Sequence, residues 1–276
     1  MNAATSLSTV LFVPGSKPER TPKALATSAD VVCIDLEDSV PPAQKAQARD
    51  AALDAIAAGE PRLALRINSV ATRAGLEDLI ALADAKVLPA LLLIPMVNSA
   101  AEIGIVTSVL GARAPGLVPL IETVKGLRAA HEIASVPGVV AMMFGGGDFA
   151  AELGVELAWE PLLAARSAIV FACAEAGIPA IDVPYIVLDD APGLVAETRA
   201  AKALGFSAKA AIHPAQLAGI DSVLRPTAEE IAEAEEAAKA FAAAGGAAVR
   251  FKGRMLEAPI MRRYQRILAM RSKTDA

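Results

Sequence analysis

Apolar residues gather in eight short runs along this chain, and each run ends in polar or turn-forming residues. Run 11–13 stops at Pro14-Gly15-Ser16. Run 31–36 carries Asp35 and is followed by Glu37 and Asp38, and run 63–65 stops at Arg66 and Asn68. Run 91–94 stops at Pro95, run 118–121 at Glu122 and Thr123, and run 139–144 at Gly145 to Asp148. Run 180–181 stops at Asp182 and Pro184, and run 210–212 at His213. The runs do not alternate apolar with polar, which is the signature of parallel strands covered on both faces. A stretch long enough for a helix separates each from the next. Pro22 and Pro42 suit first helical turns, where a missing N–H leaves nothing unpaired, and Pro42 opens a predicted helix over 43–57. Gly59, Gly111, Gly177 and Gly205 follow Ala/Leu-rich stretches and serve as C-terminal stops. The rhythm over 10–222 predicts an α/β fold, the TIM (β/α)8 barrel, with its reactive side chains on one rim.

The pattern changes after Arg225-Pro226. Thr227 is placed to cap a helix with Glu230 as its capping-box partner, and the Ala-rich, acidic stretch 228–244 is the predicted helix. Gly245-Gly246 ends it. A basic stretch, 250–254, and a final basic helix over 259–270 follow. The expected division is a catalytic barrel, 1–222, and a C-terminal helical extension, 223–276. The extension packs at the barrel rim or reaches a neighbouring subunit.

Composition narrows the class. The 276 residues suit one barrel plus an extension. Hydrophobic residues make up 54% and aromatics 4%, so the core is built from Ala, Val, Leu and Ile. A net charge of −5 excludes a global basic field for nucleic acid, and an anionic substrate would need a local patch. Cys33 and Cys173, the two cysteines, fall in predicted buried elements and read as reduced thiols of a cytoplasmic protein. The first thirty residues lack the basic flank and apolar stretch of a signal peptide, and no apolar run approaches the ~18 residues of a membrane span.

The candidate chemistry sits at the ends of the runs. Glu122 ends the fifth predicted strand and Asp148 follows the sixth; the two strands are neighbours, so the two carboxylates can converge. A carboxylate pair completed by waters is a typical Mg2+ site. The alternative is a pair of helix N-terminal acids stabilised by the macrodipole. Gly145 to Gly147 let the backbone approach a ligand, and their N–H groups can hold an anion. Arg66 points into the same mouth, either as a clamp for a carboxylate or developing enolate or as a salt-bridge partner of Asp35 or Glu37. Period-two alternation puts Asp35 and Glu37 on one face, with Asp35 the inward candidate, holding Arg66 or a metal-bound water. Lys17, Arg20, Lys45 and Arg49 follow strands one and two as a phosphate-binding patch or as solvated cations. His213, before Pro214, is either catalytic or part of a helix-start turn that closes the barrel. His131 reads as an exposed mid-helix residue. No Ser-His-Asp order, Cys-rich metal pattern, P-loop or GxGxxG is present.

Several segments together resemble one known family. They are Val13-Pro14-Gly15-Ser16, Asp35-Leu36-Glu37-Asp38-Ser39-Val40, Lys45 with Arg49, Leu65-Arg66-Ile67-Asn68 and Pro119-Leu120-Ile121-Glu122-Thr123. Gly145-Gly146-Gly147-Asp148-Phe149, Ile212-His213-Pro214-Ala215-Gln216 and Gly253-Arg254-Met255 complete the set. In order and spacing, over about residues 8–270, they resemble the citrate lyase β-subunit-like family of HpcH/HpaI aldolases.

The resemblance implies a Mg2+-dependent carbon–carbon lyase. Its substrate would be a malyl-, citramalyl- or citryl-type 3-hydroxyacyl-CoA, and its products an acetyl thioester and a 2-oxo acid. Glu122 and Asp148 become the metal ligands, Arg66 the substrate and enolate clamp, and Asp35 a catalytic acid beneath them. Pro14, Gly15, Lys17, Arg20 and Lys45 would face the CoA portion, with Gly146 and Gly147 at the substrate. A homo-oligomer, trimer or hexamer, is implied, with no nucleic-acid or membrane partner. Relatives carry Met-Ile-Asp-x-Pro in the extension, and its Asp protonates the enolate in the neighbouring subunit's site. Here the segment reads Met255-Leu256-Glu257-Ala258-Pro259, so Glu257 would be that acid, one methylene longer. A displacement of ~1 Å at such a site can cost about 100-fold in rate. The alternatives are a CoA-independent 2-oxo acid aldolase, or a β-like subunit or thioesterase with little lyase activity alone.

Overall fold

A computed structural model describes residues 7–271. Eight parallel strands close into a barrel in chain order, with β1 pairing both β2 and β8. They are β1 (Thr9–Pro14), β2 (Val31–Asp35), β3 (Leu63–Arg66), β4 (Leu91–Ile94), β5 (Gly116–Ile121), β6 (Met142–Phe144), β7 (Ala180–Asp182) and β8 (Ala208–Ala211). Around them lie α1 (Thr21–Leu25), α2 (Lys45–Ala57), α3 (Arg73–Asp84), α4 (Ala100–Leu110), α5 (Val124–Arg128) and α6 (Ala130–Ala134). The ring is completed by α7 (Gly146–Leu153), α8 (Trp159–Ala176), α9 (Ala191–Leu204) and α10 (Leu217–Leu224). All eight expected runs contain strand residues.

The apolar runs bury two faces, and the core divides accordingly. Val10, Cys33, Ala64, Leu93, Val118, Leu120, Met143, Ile181 and Ala210 pack together inside the barrel. Their strand neighbours Leu11, Val32, Ile34, Leu65, Leu92 and Ile121 pack outward against the helices. Truncating one such leucine to alanine typically costs about 2–5 kcal/mol. The same alternation carries past the strand ends. It turns Asp35, Arg66 and Glu122 toward the barrel axis, on the rim where β-strands of such barrels present their chemistry. Both thiols are free and buried. Burial pushes the Cys173 thiol up to about 12, and raises Cys33 as well, so neither is a nucleophile at neutral pH.

Two strands differ from expectation. β8 starts at Ala208 and includes Lys209, a fully buried charge that interrupts the apolar run. β6 is confined to Met142–Phe144, because Val139 makes only an isolated bridge to Leu117 just after the Pro137-Gly138 turn.

The extension comprises α11 (Ala228–Ala243), the hairpin of β9 (Val249–Phe251) and β10 (Arg254–Leu256), and α12 (Ala258–Arg271). The capping box forms as expected: Glu230 N donates to Thr227 Oγ1 at 3.2 Å, and Thr227 N to Glu230 Oε2 at 2.9 Å. The stretch expected only to be basic is a hairpin, turned by Lys252 and Gly253 at φ 44° and 80°. Ala237, Leu256 and Met261 form its small core, with Phe251 and Tyr264 packed alongside. Arg225 ties the extension to the barrel, reaching Asp30 at 2.9 Å and Asp221 at 2.8 Å. α10 runs through the expected division after residue 222 and ends at Leu224. Among the described residues no helix is long and apolar enough to cross a membrane.

Candidate active site

The C-terminal mouth of the barrel opens into a cavity of about 430 Å³. Its lining includes Pro14, Asp35, Asp38, Ser39, Arg66, Glu122, Gly145, Gly147 and Asp148. The rest of the lining is apolar: Phe12, Leu120, Met143, Leu157, Val183, Pro184, Ile186 and Ile212.

Arg66 ends β3 and is held from beneath. Its Nε donates to Asp35 Oδ1 at 2.6 Å and its Nη2 to Asp35 Oδ2 at 2.9 Å, a bidentate pair. Asp35 also accepts the backbone N–H groups of Glu37 at 2.9 Å and Ser39 at 3.2 Å. Burial works against the Asp35 charge, but these donors and the guanidinium hold its carboxyl below the usual range. Glu37 Oε2 lies 2.9 Å from Arg66 Nη1 without hydrogen-bond alignment, and Asp38 Oδ2 lies 3.4 Å from Nη2. The guanidinium also sits 5.2 Å from the centre of the Phe12 ring. Arg66 is therefore salt-bridged, as one sequence reading expected, and the bridge fixes its plane at the mouth.

Glu122 follows β5 and is buried. Its Oε2 accepts the Met96 N–H at 2.6 Å. Met96 has φ 56°, a left-handed conformation that costs a non-glycine residue about 1–3 kcal/mol. That strained backbone is what aims the N–H at Glu122. Gly145 closes the other side: a Cβ there would lie 2.1 Å from Glu122 Cγ, so only glycine fits. Asp148 stands exposed in the first turn of α7.

The electrostatics of the mouth are unbalanced. Burial, and then the charges of Glu122, Asp38 and Asp35, push Glu37 up to about 9 despite Arg66. Burial, with Asp148 and Asp38 adding, pushes Glu122 up to about 7. Asp148 is raised by burial and by Asp38. One guanidinium thus faces five acids. A divalent cation between Glu122 and Asp148 would answer that surplus, and two carboxylates leave positions open for waters and substrate oxygens. The donor set fits Mg2+. Oxygen donors of this kind suit a hard cation.

Other expected residues lie elsewhere. Lys45 Nζ donates inward to Leu36 O at 2.8 Å, Glu37 O at 2.7 Å and Asn68 Oδ1 at 2.6 Å. Arg49 pairs with buried Asp78 at 3.1 Å. The expected four-cation patch is corrected to two exposed cations on the β1 side, Lys17 and Arg20, because Lys45 and Arg49 brace the loops after β2 and β3. Gly15 lines a separate small hollow behind the rim. Gly146 is buried, and a Cβ there would meet Phe144, Leu157 and Val183, so it serves packing while Gly147 faces the cavity. His213 caps the turn before α10 through Ala215 N at 3.2 Å. His131 is exposed and paired with Glu175. Glu257 is exposed at the start of α12 and does not line the mouth of its own barrel.

Sequence reasoning missed a second charged cluster. Arg166 on α8 donates to Asp182 at 2.9 Å, and Lys209 reaches Asp182 at 2.6 Å, Val183 O at 2.7 Å and Glu197 at 2.8 Å. Arg166 also stacks on Trp159 and Phe144 at 4.7 and 5.4 Å. The available signal was a lysine framed by alanines inside a strand.

Comparison with known proteins agrees with this geometry. The family model described as HpcH/HpaI aldolase/citrate lyase matches residues 8–214. The chain is 32% identical over 286 residues to mitochondrial citramalyl-CoA lyase of Homo sapiens, covering 95% of this chain and 84% of the relative. It is 35% identical over 282 residues to the L-malyl-CoA/beta-methylmalyl-CoA lyase of Cereibacter sphaeroides, covering 90% and 89%. Among solved structures, Mycobacterium tuberculosis CitE in complex with magnesium, acetoacetate and coenzyme A aligns with a TM-score of 0.82 at 33% identity, over 97% of this chain and 99% of that one. The chain belongs to the HpcH/HpaI aldolase/citrate lyase family.

Proposed function

We propose that this protein is a Mg2+-dependent carbon–carbon lyase that cleaves a 3-hydroxyacyl-CoA thioester to an acetyl thioester and a 2-oxo acid. One observation carries the reading: a carboxylate pair with surplus negative charge, Glu122 and Asp148, shares a barrel mouth with a pre-oriented arginine. The lyase relatives and the magnesium- and CoA-bound structure support it.

Glu122 and Asp148 would hold the cation, which supplies Lewis acidity and a chelating centre for the substrate's hydroxyl and carboxylate. As the hydroxyl gives up its proton to solvent in the open mouth and the C–C bond breaks, Arg66 stabilises the negative charge that develops on the thioester oxygen. Its Asp35 partner keeps the guanidinium in one orientation, so no reorganisation is needed at that moment. Glu37, held protonated by burial, leaves more of the Arg66 charge for the substrate. The first-turn N–H groups of α7, at Gly147 and Asp148, offer further donors. Lys17 and Arg20 stand on the same rim, suited to the phosphates of CoA.

The enolate carbon then needs a proton. Glu257 is absent from its own mouth, and it sits between the basic hairpin and the basic final helix, which suit an acidic neighbouring mouth. We assign Glu257 of a neighbouring copy as that acid, which makes a homo-oligomer, trimer or hexamer, the working form. The division into barrel and extension follows the same logic. Two buried thiols suit a reducing compartment, and the cytoplasm is the assigned location.

The test is a panel of malyl-, methylmalyl-, citramalyl- and citryl-CoA with Mg2+, reading oxo acid and free thiol separately. Oxo acid and acetyl-CoA, abolished by EDTA and lowered at least about 1000-fold in Arg66→Ala, are expected. Full rate in EDTA or in Arg66→Ala overturns the reading. Thiol release without oxo acid would make the protein a thioesterase instead.

A further inference from the structure

Resting on that lyase reading, we propose that the reacting hydroxyl carbon carries an aliphatic substituent rather than a second carboxylate, and that Val183, Ile186 and Ile212 select it. The segments after β7 and β8 line the cavity with Val183, Pro184, Ile186 and Ile212, and Arg66 is the one cation among the described residues that line it. Arg66 is already engaged by Asp35 at 2.6 Å. A citryl-type substrate would bring its extra carboxylate to a wall that offers it no cation. Stripping a charged group of water against such a wall is strongly unfavourable.

Exposure points the same way. Ile186 is 57% exposed and Ile212 is 43% exposed, although both face the cavity. Past Ile186 lies an adjoining hollow of about 270 Å³, lined also by Trp159, Tyr185, Val187 and Glu197. That leaves room for a substituent larger than methyl.

The wall is fixed in place. Gln216 bridges its two segments: the side-chain Nε2 donates to Tyr185 O at 2.6 Å, and Oε1 accepts Ile212 N at 2.9 Å. Lys209 holds Val183 O from below at 2.7 Å. Tyr185 OH donates to Asp190 Oδ2 at 2.6 Å, and Asp190 caps α9 through Gly193 N at 2.9 Å. The loop between β7 and α9 is therefore pinned at Val183, Tyr185 and Asp190. A preformed apolar surface selects by shape and polarity and does not rearrange to admit a charge.

The experiment compares kcat/KM for four 3-carboxy-3-hydroxyacyl-CoA thioesters that carry hydrogen, methyl, ethyl or carboxymethyl at the hydroxyl carbon. Each added methylene is expected to raise the value about threefold. The carboxymethyl compound is expected to fall at least about 100-fold below the ethyl compound. Ile212→Arg and Ile186→Arg should reverse the ethyl-to-carboxymethyl preference by at least about tenfold, with the elution volume on gel filtration unchanged. Equal cleavage of carboxymethyl and ethyl compounds by the wild type overturns the proposal and leaves the lyase reading intact. So does a uniform loss on all four substrates in both variants, which would make the wall a seat for a neighbouring copy. If no thioester is cleaved, the lyase reading fails, and binding of 2-oxobutyrate against oxaloacetate in the presence of Mg2+ still decides this proposal. Tighter 2-oxobutyrate supports it and tighter oxaloacetate overturns it.

Discussion

Two charged clusters sit within one barrel, and they are built on opposite principles. Behind β7 and β8, Arg166 and Lys209 are matched by Asp182 and Glu197, two cations to two anions. Lys209 spends its ammonium on three acceptors and is fully buried. At the mouth, Arg66 alone faces Asp35, Glu37, Asp38, Glu122 and Asp148, and three of those carboxyls are held above their ordinary range. Charge balance with deep burial marks a brace, because an imbalance there has little solvent to answer it. Charge imbalance beside an open cavity marks chemistry, because the missing charge is to be supplied by a ligand.

The comparison breaks most sharply on activity against stability. Glu122→Gln should abolish Mg2+ binding by calorimetry and lower kcat/KM at least about 1000-fold, with no loss of unfolding free energy in urea denaturation of the metal-free protein, because the amide removes a buried charge. A large loss of stability would mean that the mouth is also a brace. Asp182→Ala should do the reverse. It strands Lys209 and Arg166 without their shared partner, and a loss of about 3–5 kcal/mol is expected in urea denaturation followed by circular dichroism. Unchanged stability would deny the cluster its structural role.

Smaller effects sharpen the same contrast. Gly145→Ala forces a Cβ into the space of Glu122 Cγ, and Mg2+ affinity should fall about 10- to 100-fold with the fold retained. Affinity at the wild-type level would show that Glu122 is not a ligand in this position. The pH dependence is milder. Burial, with Asp148 and Asp38 adding, holds Glu122 at about 7, so protons compete with the cation below that pH. Apparent Mg2+ affinity should weaken by up to about tenfold per unit as pH falls from 7. In the metal-free protein the sign inverts. The folded state keeps the Glu122 proton while the unfolded chain, whose carboxyl titrates near 4.5, has lost it, so this group's contribution to stability declines as pH rises from 4.5 through about 7. Calorimetric titrations and urea midpoints at a series of pH values check both slopes.

The sequence carried the barrel because parallel strands, covered on both faces, write themselves as unbroken apolar runs, and Asp35, Arg66, Glu122 and Asp148 stood out as polar residues at their ends. Lys209 was illegible for the same reason. A charge inside a run reads as the run's boundary, so the eighth strand was expected two residues late. Lys45 read as a free cation because its acceptors, Leu36 O and Glu37 O, are backbone atoms that no side-chain pattern reveals. Gly146 looked like its neighbour Gly147, although one fills a packing gap and the other faces the cavity. The apolar wall was invisible because Val183 and Ile186 lie in a loop without a period, and Ile212 read as the last residue of the eighth strand.

Gln216 has one more consequence. Its amide ties the segment after the seventh strand to the segment after the eighth, so neither can drift in shape by itself. A chimera that imported only one of these loops from a relative would leave the amide facing a misplaced backbone. Exchange of both loops together, with the glutamine that joins them, is the smallest graft that keeps the joint whole.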